Sequence, residues 1–275
     1  MSLDIKKVYI DSRYRTSDSK SNSDFKIDLP RQFNVGDDVV AYIDDIVLPV
    51  SWKTVDDRNR YFYITMFYTG VTYQRYVFIT LNNYNGSSYA TELQTALNTA
   101  SSDLELSFTV SYDFLSNLLT ITLSDDRVSF PDTMTVIFHS DESIINGAFG
   151  TPITNPRSGN EIISLTKDFT LMVGQPYYCY LDLHNTRNVY LTSSALASYD
   201  TVSNFGNDTI IKKIPVKAGP NELIIDNASE GFDYLNVSRR TLRNIDFQLV
   251  DVRNNILDLQ NTHWSFSVVF LQSRN

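Results

Sequence analysis

Short segments in which apolar and polar residues alternate occur towards both ends of the chain. In the segment 24–30, the apolar residues Phe25, Ile27 and Leu29 alternate with polar residues. A period of two is typical of a half-buried β-strand. A nearly continuous apolar run at 39–49 favours a strand covered on both faces. Further short strands after residue 165, at intervals of roughly 8–12 residues, predict a β-sandwich or barrel.

The middle of the chain combines further strands with one helix. Aromatic and β-branched runs at 61–68 and 76–81 predict one hairpin, and the runs at 106–112 and 118–123 predict another. Between the hairpins, apolar residues recur at helical spacing and predict an amphipathic helix near 88–100, capped by a serine. The stripe consists of Tyr89, Leu93, Ala96, Leu97 and Ala100. Such a stripe is typical of a helix packed on a sheet.

These patterns predict an all-β chain of three parts. Residues 1–23 are polar apart from Val8-Tyr9-Ile10, and we expect an N-terminal arm that becomes ordered against a neighbour. Residues 24–52 and 165–275 predict a jelly-roll β-sandwich of eight strands in two sheets, with two strands before residue 50 and six after 165. Residues 53–164 predict an inserted β-rich domain that carries the helix. The strands that the insertion joins stay open.

Composition narrows the class of protein. The chain has 275 residues, of which 42% are hydrophobic and 13% aromatic, and these shares favour a globular β-protein. Its net charge of −9 argues against a nucleic-acid partner, which needs a basic face. The polar start predicts no signal peptide, and the lack of a long apolar run predicts no membrane span. The single cysteine, Cys179, is predicted as a buried, inert thiol.

No pattern in the sequence predicts catalysis or metal binding. His139, His184 and His263 are too scattered for a metal site and are predicted as solvated or strand-end residues. Acidic neighbours such as Asp44-Asp45 point to opposite faces of a strand and do not form a catalytic pair. Hydrolase, zinc-protease and phosphate-binding motifs do not occur. The sequence therefore predicts no catalytic residue, no cofactor and no metal, and we expect that the protein is not an enzyme.

Several segments in a fixed order resemble one viral family. They are 9–13, 23–30, Val40 to Trp52 with its Leu-Pro-Val-Ser-Trp turn, the helix segment 92–98, 189–193, 210–216, 242–251, 257–259 and 264–270. Together they resemble the penton (minor capsid) proteins of virophages, Polinton-type elements and adintovirus-like viruses.

The resemblance implies a vertical jelly roll that forms a pentamer at the fivefold vertices of an icosahedral capsid. It implies contacts with the major capsid protein and a place in the virion, after assembly in the host cytoplasm or nucleus. The arm would supply a capsid-contact segment, or would be a flexible end without a contact. The candidate contact residues are Tyr9, Ile10, Asp11, Ser12, Arg13 and Arg15.

Two other classes of function remain open at this point. The chain is also compatible with a jelly-roll carbohydrate- or receptor-binding module, in which the inserted domain contacts a host receptor or glycan. An enzyme would require a histidine–carboxylate cluster in a cleft, which the sequence does not predict.

Overall fold

The computed structural model of the chain describes residues 5–68, 70–104, 106–125, 134–184, 186–203, 206–227 and 233–272. The chain divides into two compact units. The jelly-roll unit consists of residues 1–52 and 186–275, and the inserted unit consists of residues 53–185. The jelly-roll unit is thus assembled from both ends of the chain.

The elements are numbered in chain order. The strands are β1 (Ile5–Asp11), β2 (Asp24–Asn34), β3 (Val39–Pro49), β4 (Tyr61–Tyr68), β5 (Val71–Phe78), β6 (Leu106–Asp113), β7 (Leu118–Asp125), β8 (Thr135–Phe138), β9 (Phe169–Met172), β10 (Tyr177–Tyr180), β11 (Asn188–Thr192), β12 (Ile210–Pro215), β13 (Leu223–Asp226), β14 (Leu235–Asn236), β15 (Thr241–Val250) and β16 (Ser265–Gln272). The helices are α1 (Gly86–Ala100) and α2 (Asp141–Ile145), and Ser12–Tyr14 forms a 3-10 turn.

Two antiparallel sheets form the jelly-roll unit. The first sheet has the order β1-β16-β3-β13, with the short β14 also paired to β3, and the second has the order β12-β11-β15-β2. Most connections therefore pass from one sheet to the other, and only β11 and β12 among the eight main strands follow each other within one sheet, as in a jelly roll. The predicted fold class is confirmed. Along the chain, the inserted unit follows β3 and precedes β11, which are the third and fourth strands of the jelly roll.

The core of the jelly-roll unit follows from the alternation in its strands. Phe25 and Ile27 of β2 pair with Phe247 and Ile245 of β15, and all four side chains are buried. The ring of Phe25 lies 5.7 Å from that of Phe247. Polar residues between them point to the other side of the second sheet. The period of two in the sequence thus places the apolar side chains between the sheets.

The N-terminal segment differs from the predicted arm. Residues 5–11 form β1, which pairs with β16 along its whole length, so the prediction of an arm is wrong for these residues. Val8 and Ile10 of β1 face the core, and Lys7 and Tyr9 face outwards. Polar residues are common on an edge strand because one side of it meets water. With β1, three jelly-roll strands precede residue 50, where two were predicted.

The inserted unit has its own two sheets and its own core. One sheet has the order β5-β4-β8-β9, and the other has the order β10-β7-β6. The hairpins β4–β5 and β6–β7 are present, although β5 begins at Val71, before the predicted run. The inner faces of both sheets and one face of α1 share a single hydrophobic cluster. The inserted unit also contains α2, a helix of five residues that the sequence pattern did not predict.

Helix α1 lies where the apolar stripe predicts it. Tyr89, Leu93 and Leu97 are fully buried beside the sheets. The cap is Asn85, because its side chain accepts a hydrogen bond from the Ser88 amide. In return, the Asn85 amide donates a hydrogen bond to the Ser88 hydroxyl. The serine expected as the cap is therefore the reciprocal partner of a capping box. None of the described helices is long and apolar enough to cross a lipid bilayer.

The second boundary between the units lies later than predicted. Residues 165–185 belong to the inserted unit, where the sequence placed them in the jelly roll. The reason is strand pairing: β9 pairs with β8, and β10 pairs with β7. The loop at 146–159 marks a change in composition, but the chain returns to the inserted unit after it.

Candidate interaction surfaces

Backbone and side-chain hydrogen bonds attach the segment after β1 to the jelly roll. The Ser12 amide donates to the Trp264 carbonyl at 3.0 Å, and the Trp264 amide donates to Ser12 Oγ at 3.0 Å. The indole Nε1 of Trp264 donates to the carbonyl of Asn22 at 2.6 Å. Ser12, Asn22 and Trp264 are all buried. The segment is therefore part of the folded unit and is not a floppy end.

Asp11 and Arg13 form a local pair that shapes the 3-10 turn. Asp11 accepts the Arg13 amide at 2.9 Å and the Arg13 guanidinium at 2.5 and 3.0 Å. These hydrogen bonds from Arg13 hold the pKa of Asp11 below its ordinary value, although partial burial acts in the opposite direction. The turn leaves Tyr9 and Tyr14 largely exposed on either side of the pair.

Arg15 is exposed, but its guanidinium forms hydrogen bonds with its own segment of the jelly-roll unit. Its guanidinium donates to Oδ1 of Asn22 at 2.5 Å and to the carbonyl of Ser12 at 3.3 Å. The Asn22 side chain in turn donates to the carbonyls of Asn261 and Thr262. Arg15 therefore stabilises the folded segment from its surface.

The structure divides the six predicted contact residues into two groups. Ile10 and Ser12 are buried in the jelly-roll unit, Arg15 is exposed but hydrogen-bonded to Asn22, and Asp11 is paired with Arg13. Tyr9 and Arg13 keep exposed side chains that another protein can reach. Their role in capsid contact stays a prediction. Tyr14, which the sequence did not single out, joins them because its ring lies beside the Arg13 guanidinium, 5.9 Å away.

The outer face of the first sheet is apolar around one ion-pair cluster. Lys7 binds Asp44 and lies 3.9 Å from Asp45, which also accepts a hydrogen bond from the buried Ser267. The hydrogen bond to Asp44 raises the pKa of Lys7. The two aspartates that interrupt the apolar run thus have a structural role, because they neutralise the charge of Lys7 on β1 of the same sheet.

Aromatic and aliphatic side chains lie on both sides of this cluster. They are Ile5, Tyr9, Tyr42, Leu223, Ile225 and Tyr234. By contrast, the outer face of the second sheet carries charged and amide pairs, such as Asn244 with Asp28 and Gln248 with Asp24. Leu223 and Ile225 were missed as surface residues. A run of consecutive apolar residues, Leu223-Ile224-Ile225, is the signal, because alternate residues in a strand face opposite sides.

A histidine–carboxylate cluster does occur in the inserted unit. His139 Nε2 lies 2.7 Å from Thr65 Oγ1, and His139 Nδ1 lies 3.0 Å from Asp168 Oδ2. Asp168 also accepts hydrogen bonds from the amide and hydroxyl of Ser140 at the start of α2. Thr65 and His139 are buried, and the ring of Phe149 lies 6.1 Å from that of His139. Because Thr65 and His139 are buried, the cluster connects β4, the end of β8 and the start of α2 inside the inserted unit.

The three histidines and the single cysteine differ in their exposure to solvent. His139 directly follows β8, as predicted for a strand-end residue, but is buried, His184 is exposed, and His263 precedes β16 on the surface. Cys179 is buried as predicted, and burial raises the pKa of its thiol to about 12. Within the described ranges, no group of three or more His, Cys, Asp or Glu residues is arranged to hold a metal ion.

Sequence comparison finds no relative for this chain. No known family model matches it, and no curated protein matches it.

Comparison of structures gives full-length matches. The chain is similar to the mavirus penton protein, with a TM-score of 0.56 and 11% sequence identity over 99% of this chain and 100% of that one. It is also similar to a chain in the cryo-EM structure of the Sputnik virophage, with a TM-score of 0.50 and 12% identity over 97% and 98% of the two chains. At this identity the likeness shows the fold. The chain has a virophage penton-like fold that includes both units.

Proposed function

We propose that this protein, with its virophage penton-like fold, is a structural capsid protein that forms pentamers at the fivefold vertices of an icosahedral virion. The observation that carries the proposal is the full-length structural match, which covers the jelly-roll unit and the inserted unit together. A protein that shared only the common jelly-roll fold would match the jelly-roll unit alone. Under this proposal the protein is found in the virion, where it also contacts the major capsid protein.

The outer face of the first sheet supports the self-assembly step. A five-membered ring requires two different patches on each subunit. Four strands about 4.8 Å apart and about seven residues long cover roughly 400 Å², which is half of the roughly 800 Å² that each partner contributes to a stable interface. We therefore assign this apolar face to one side of the ring contact, with Leu223 and Ile225 at the β13 edge, and exclude Tyr9, which lies on β1 at the opposite edge of the sheet. The second patch and the flanking loops have to supply the rest.

The exposed residues at the end of β1 support contact with the major capsid protein. Tyr9, Arg13 and Tyr14 project from a segment that Ser12 and Arg15 fix to the jelly roll. Tyr and Arg are enriched in protein interfaces because they combine a large apolar surface with hydrogen-bonding groups. A fixed segment also loses less conformational entropy on binding than a flexible arm does.

Light scattering and native mass spectrometry of the purified full-length chain test the ring. We expect pentamers for the natural sequence and loss of the pentamer when Leu223→Asp and Ile225→Asp are combined. The control is Val202→Asp, because Val202 is an equally apolar, exposed residue in a loop of the same unit. A protein that stays monomeric at high concentration and is absent from particles contradicts the proposal.

A second pair of variants separates the capsid contact from the ring contact. The combination of Tyr9→Ser and Arg13→Ser should leave pentamers intact and reduce co-assembly with the major capsid protein. Tyr199→Ser is the matched control, because Tyr199 is also exposed but lies in the connection between β11 and β12 of the second sheet. Unchanged co-assembly with the Tyr9 and Arg13 variant would show that this segment is not the contact.

A further inference from the structure

The turn between β6 and β7 exposes two large apolar side chains to water. Phe114 is 82% exposed and Leu115 is 93% exposed. Turns usually carry Gly, Asn, Asp or Ser at such positions. Consecutive exposed apolar residues favour aggregation and are expected only where they have a function. We call residues 114–117 the hairpin tip.

Hydrogen bonds fix the conformation of the hairpin tip. Asp113 accepts the Leu115 amide at 3.0 Å and the Ser116 hydroxyl at 2.5 Å. Asn117 has a φ of 54°, and its side-chain oxygen accepts a hydrogen bond from the Tyr112 hydroxyl at 2.9 Å. Its side-chain nitrogen donates to the Leu181 carbonyl at 3.0 Å. The polar residues of the turn are therefore used to hold its shape. Phe114 and Leu115 are presented outwards from a fixed support.

Tyrosine side chains lie next to the base of the tip. Tyr180 of β10 pairs with Leu118, which is the first residue after the tip. Tyr178 lies two residues away on the same face, and both Tyr side chains are more than half exposed. Tyr is enriched at the surface of lipid bilayers because its ring is apolar while its hydroxyl remains in water.

The charge of this region is negative and sparse. Between Leu106 and Asp125 the only charged residues are Asp113 and Asp125, and the whole chain carries a net charge of −9. Anionic lipids are normally bound by clusters of Lys and Arg, which this hairpin lacks. Sugars are bound through several converging hydrogen-bonding groups, even where a ring also stacks on the sugar, and the Phe114 and Leu115 side chains carry no such group. The chemistry of the tip therefore fits an uncharged apolar phase.

We propose that the hairpin tip inserts into the interfacial region of a zwitterionic lipid bilayer. Phe114 and Leu115 enter the acyl chains, and Tyr178 and Tyr180 lie at the depth of the headgroups. Asp113 stays at the base of the tip, where water still reaches the headgroup region.

The strength of this contact depends on the number of tips. Transfer of one Leu or Phe side chain out of water favours binding by roughly ten- to hundredfold, so a single tip binds weakly. Several tips on one particle bind together, and avidity adds a factor of roughly 10²–10⁴. Only this gain rests on the proposed pentamer, because insertion of the tip itself does not require a ring.

An indole placed at the tip reports insertion directly. The Phe114→Trp variant of the full-length chain is mixed with phosphatidylcholine vesicles, with and without brominated acyl chains. The native Trp52 and Trp264 are buried, so they contribute a constant background. We expect a blue shift of the new emission, quenching by brominated lipid, and no gain when phosphatidylserine is added. The oligomeric state is measured on the same sample, so that a missing ring is distinguished from missing insertion.

The matched control is Val202→Trp, because Val202 is also 82% exposed but lies in the jelly-roll unit. Its emission should not respond to vesicles. The proposal is overturned if the Phe114→Trp emission is also unchanged, or if both variants respond equally, which would indicate general adsorption.

Vesicle flotation gives a second measurement without a new fluorophore. Combining Phe114→Ser with Leu115→Ser should weaken binding to phosphatidylcholine vesicles at least about a hundredfold. Val202→Ser should leave the binding as it is. Tip-dependent binding to a glycan or a protein, with no binding of the natural chain to vesicles, also overturns the proposal.

Discussion

Trp264 alone contacts three separate segments of the jelly-roll unit. Its ring stacks on Phe266 at 4.7 Å and meets the edge of Phe25 at 5.8 Å. Its indole donates to the Asn22 carbonyl, and its backbone pairs with Ser12. The side chain therefore fixes the segment after β1 to the end of the sandwich.

We expect Trp264→Phe to destabilise the jelly-roll unit by about 1–3 kcal/mol, because the buried Asn22 carbonyl loses its donor. The control is Trp52→Phe, which also removes a buried indole. Both native Trp residues lie in the jelly-roll unit, so the remaining fluorescence follows its unfolding in urea. Equal loss in the two variants would show that packing, and not the hydrogen bond, is responsible.

Asp168 gives the inserted unit a dependence on pH. Partial burial acts to raise its pKa, but hydrogen bonds from the Ser140 amide, Ser143, the Ser140 hydroxyl and His139 outweigh burial and lower it. A carboxyl with a lowered pKa stabilises the fold above its unfolded pKa of about 3.9 and loses this effect as the pH falls through its folded value.

We therefore expect Asp168→Asn to lower the melting temperature of the inserted unit by roughly 3–8 °C at pH 5. The difference from the natural sequence should shrink as the pH falls from 5 to 2.5. Scanning calorimetry measures both. Asp103→Asn is the control, because Asp103 pairs with Arg75 on the surface of the same unit and such pairs contribute little. A difference that stays constant down to pH 2.5 contradicts the assignment.

At the scale of the element, β1 decides whether the first sheet has a protected edge. It pairs with β16 from Ile5 to Asp11 and buries Ile10 against the core. Its absence would leave β16 as an open, largely apolar edge, and open edges pair with other chains.

Truncation distinguishes a strand from an arm. Deletion of residues 1–11 should lower the melting temperature of the jelly-roll unit and cause aggregation, as followed by circular dichroism and light scattering. Deletion of residues 1–4 keeps β1 and is the control. If the longer deletion leaves stability and solubility unchanged, β1 is not an integral strand in solution.

At the scale of the whole molecule, the inserted unit has what an independent domain needs. Its strand pairs form within residues 53–185, and its inner faces share one hydrophobic cluster. Its length is in the usual range for a single domain.

We expect the isolated fragment 53–185 to fold by itself and to show dispersed amide signals in NMR spectra. The fragment 53–164, which ends where the sequence pattern changes, is the control. It lacks β9 and β10 and should be unstable, because each of the two sheets then loses a strand. Equal folding of both fragments would show that β9 and β10 are dispensable.

Local patterns predicted the elements whose own residues alternate clearly. Phe25, Ile27 and Leu29 indicate β2, and the stripe from Tyr89 to Ala100 indicates α1. In both cases the spacing of apolar residues fixes which side chains are buried. The eight-stranded jelly roll followed from the number and spacing of such segments.

The same patterns failed where neighbours in space decide the outcome. β1 carries Lys6 and Lys7, which obscure the inward Val8 and Ile10, and it becomes a strand by pairing with a segment near the other end of the chain. The cluster of Thr65, His139 and Asp168 joins residues from three separate parts of the inserted unit. Nothing in the spacing of these residues indicates that they meet.

The spacing of apolar residues is enough to predict a β-sandwich built from both ends of the chain, with an inserted β-rich part and one amphipathic helix. The strand partners, the end of the inserted unit and the apolar residues that remain on the surface become known only from the folded chain. The physical reason is that a period of two states which side chains are buried but names no partner strand. Pairing depends on contacts between distant segments, and these exist only in the folded chain.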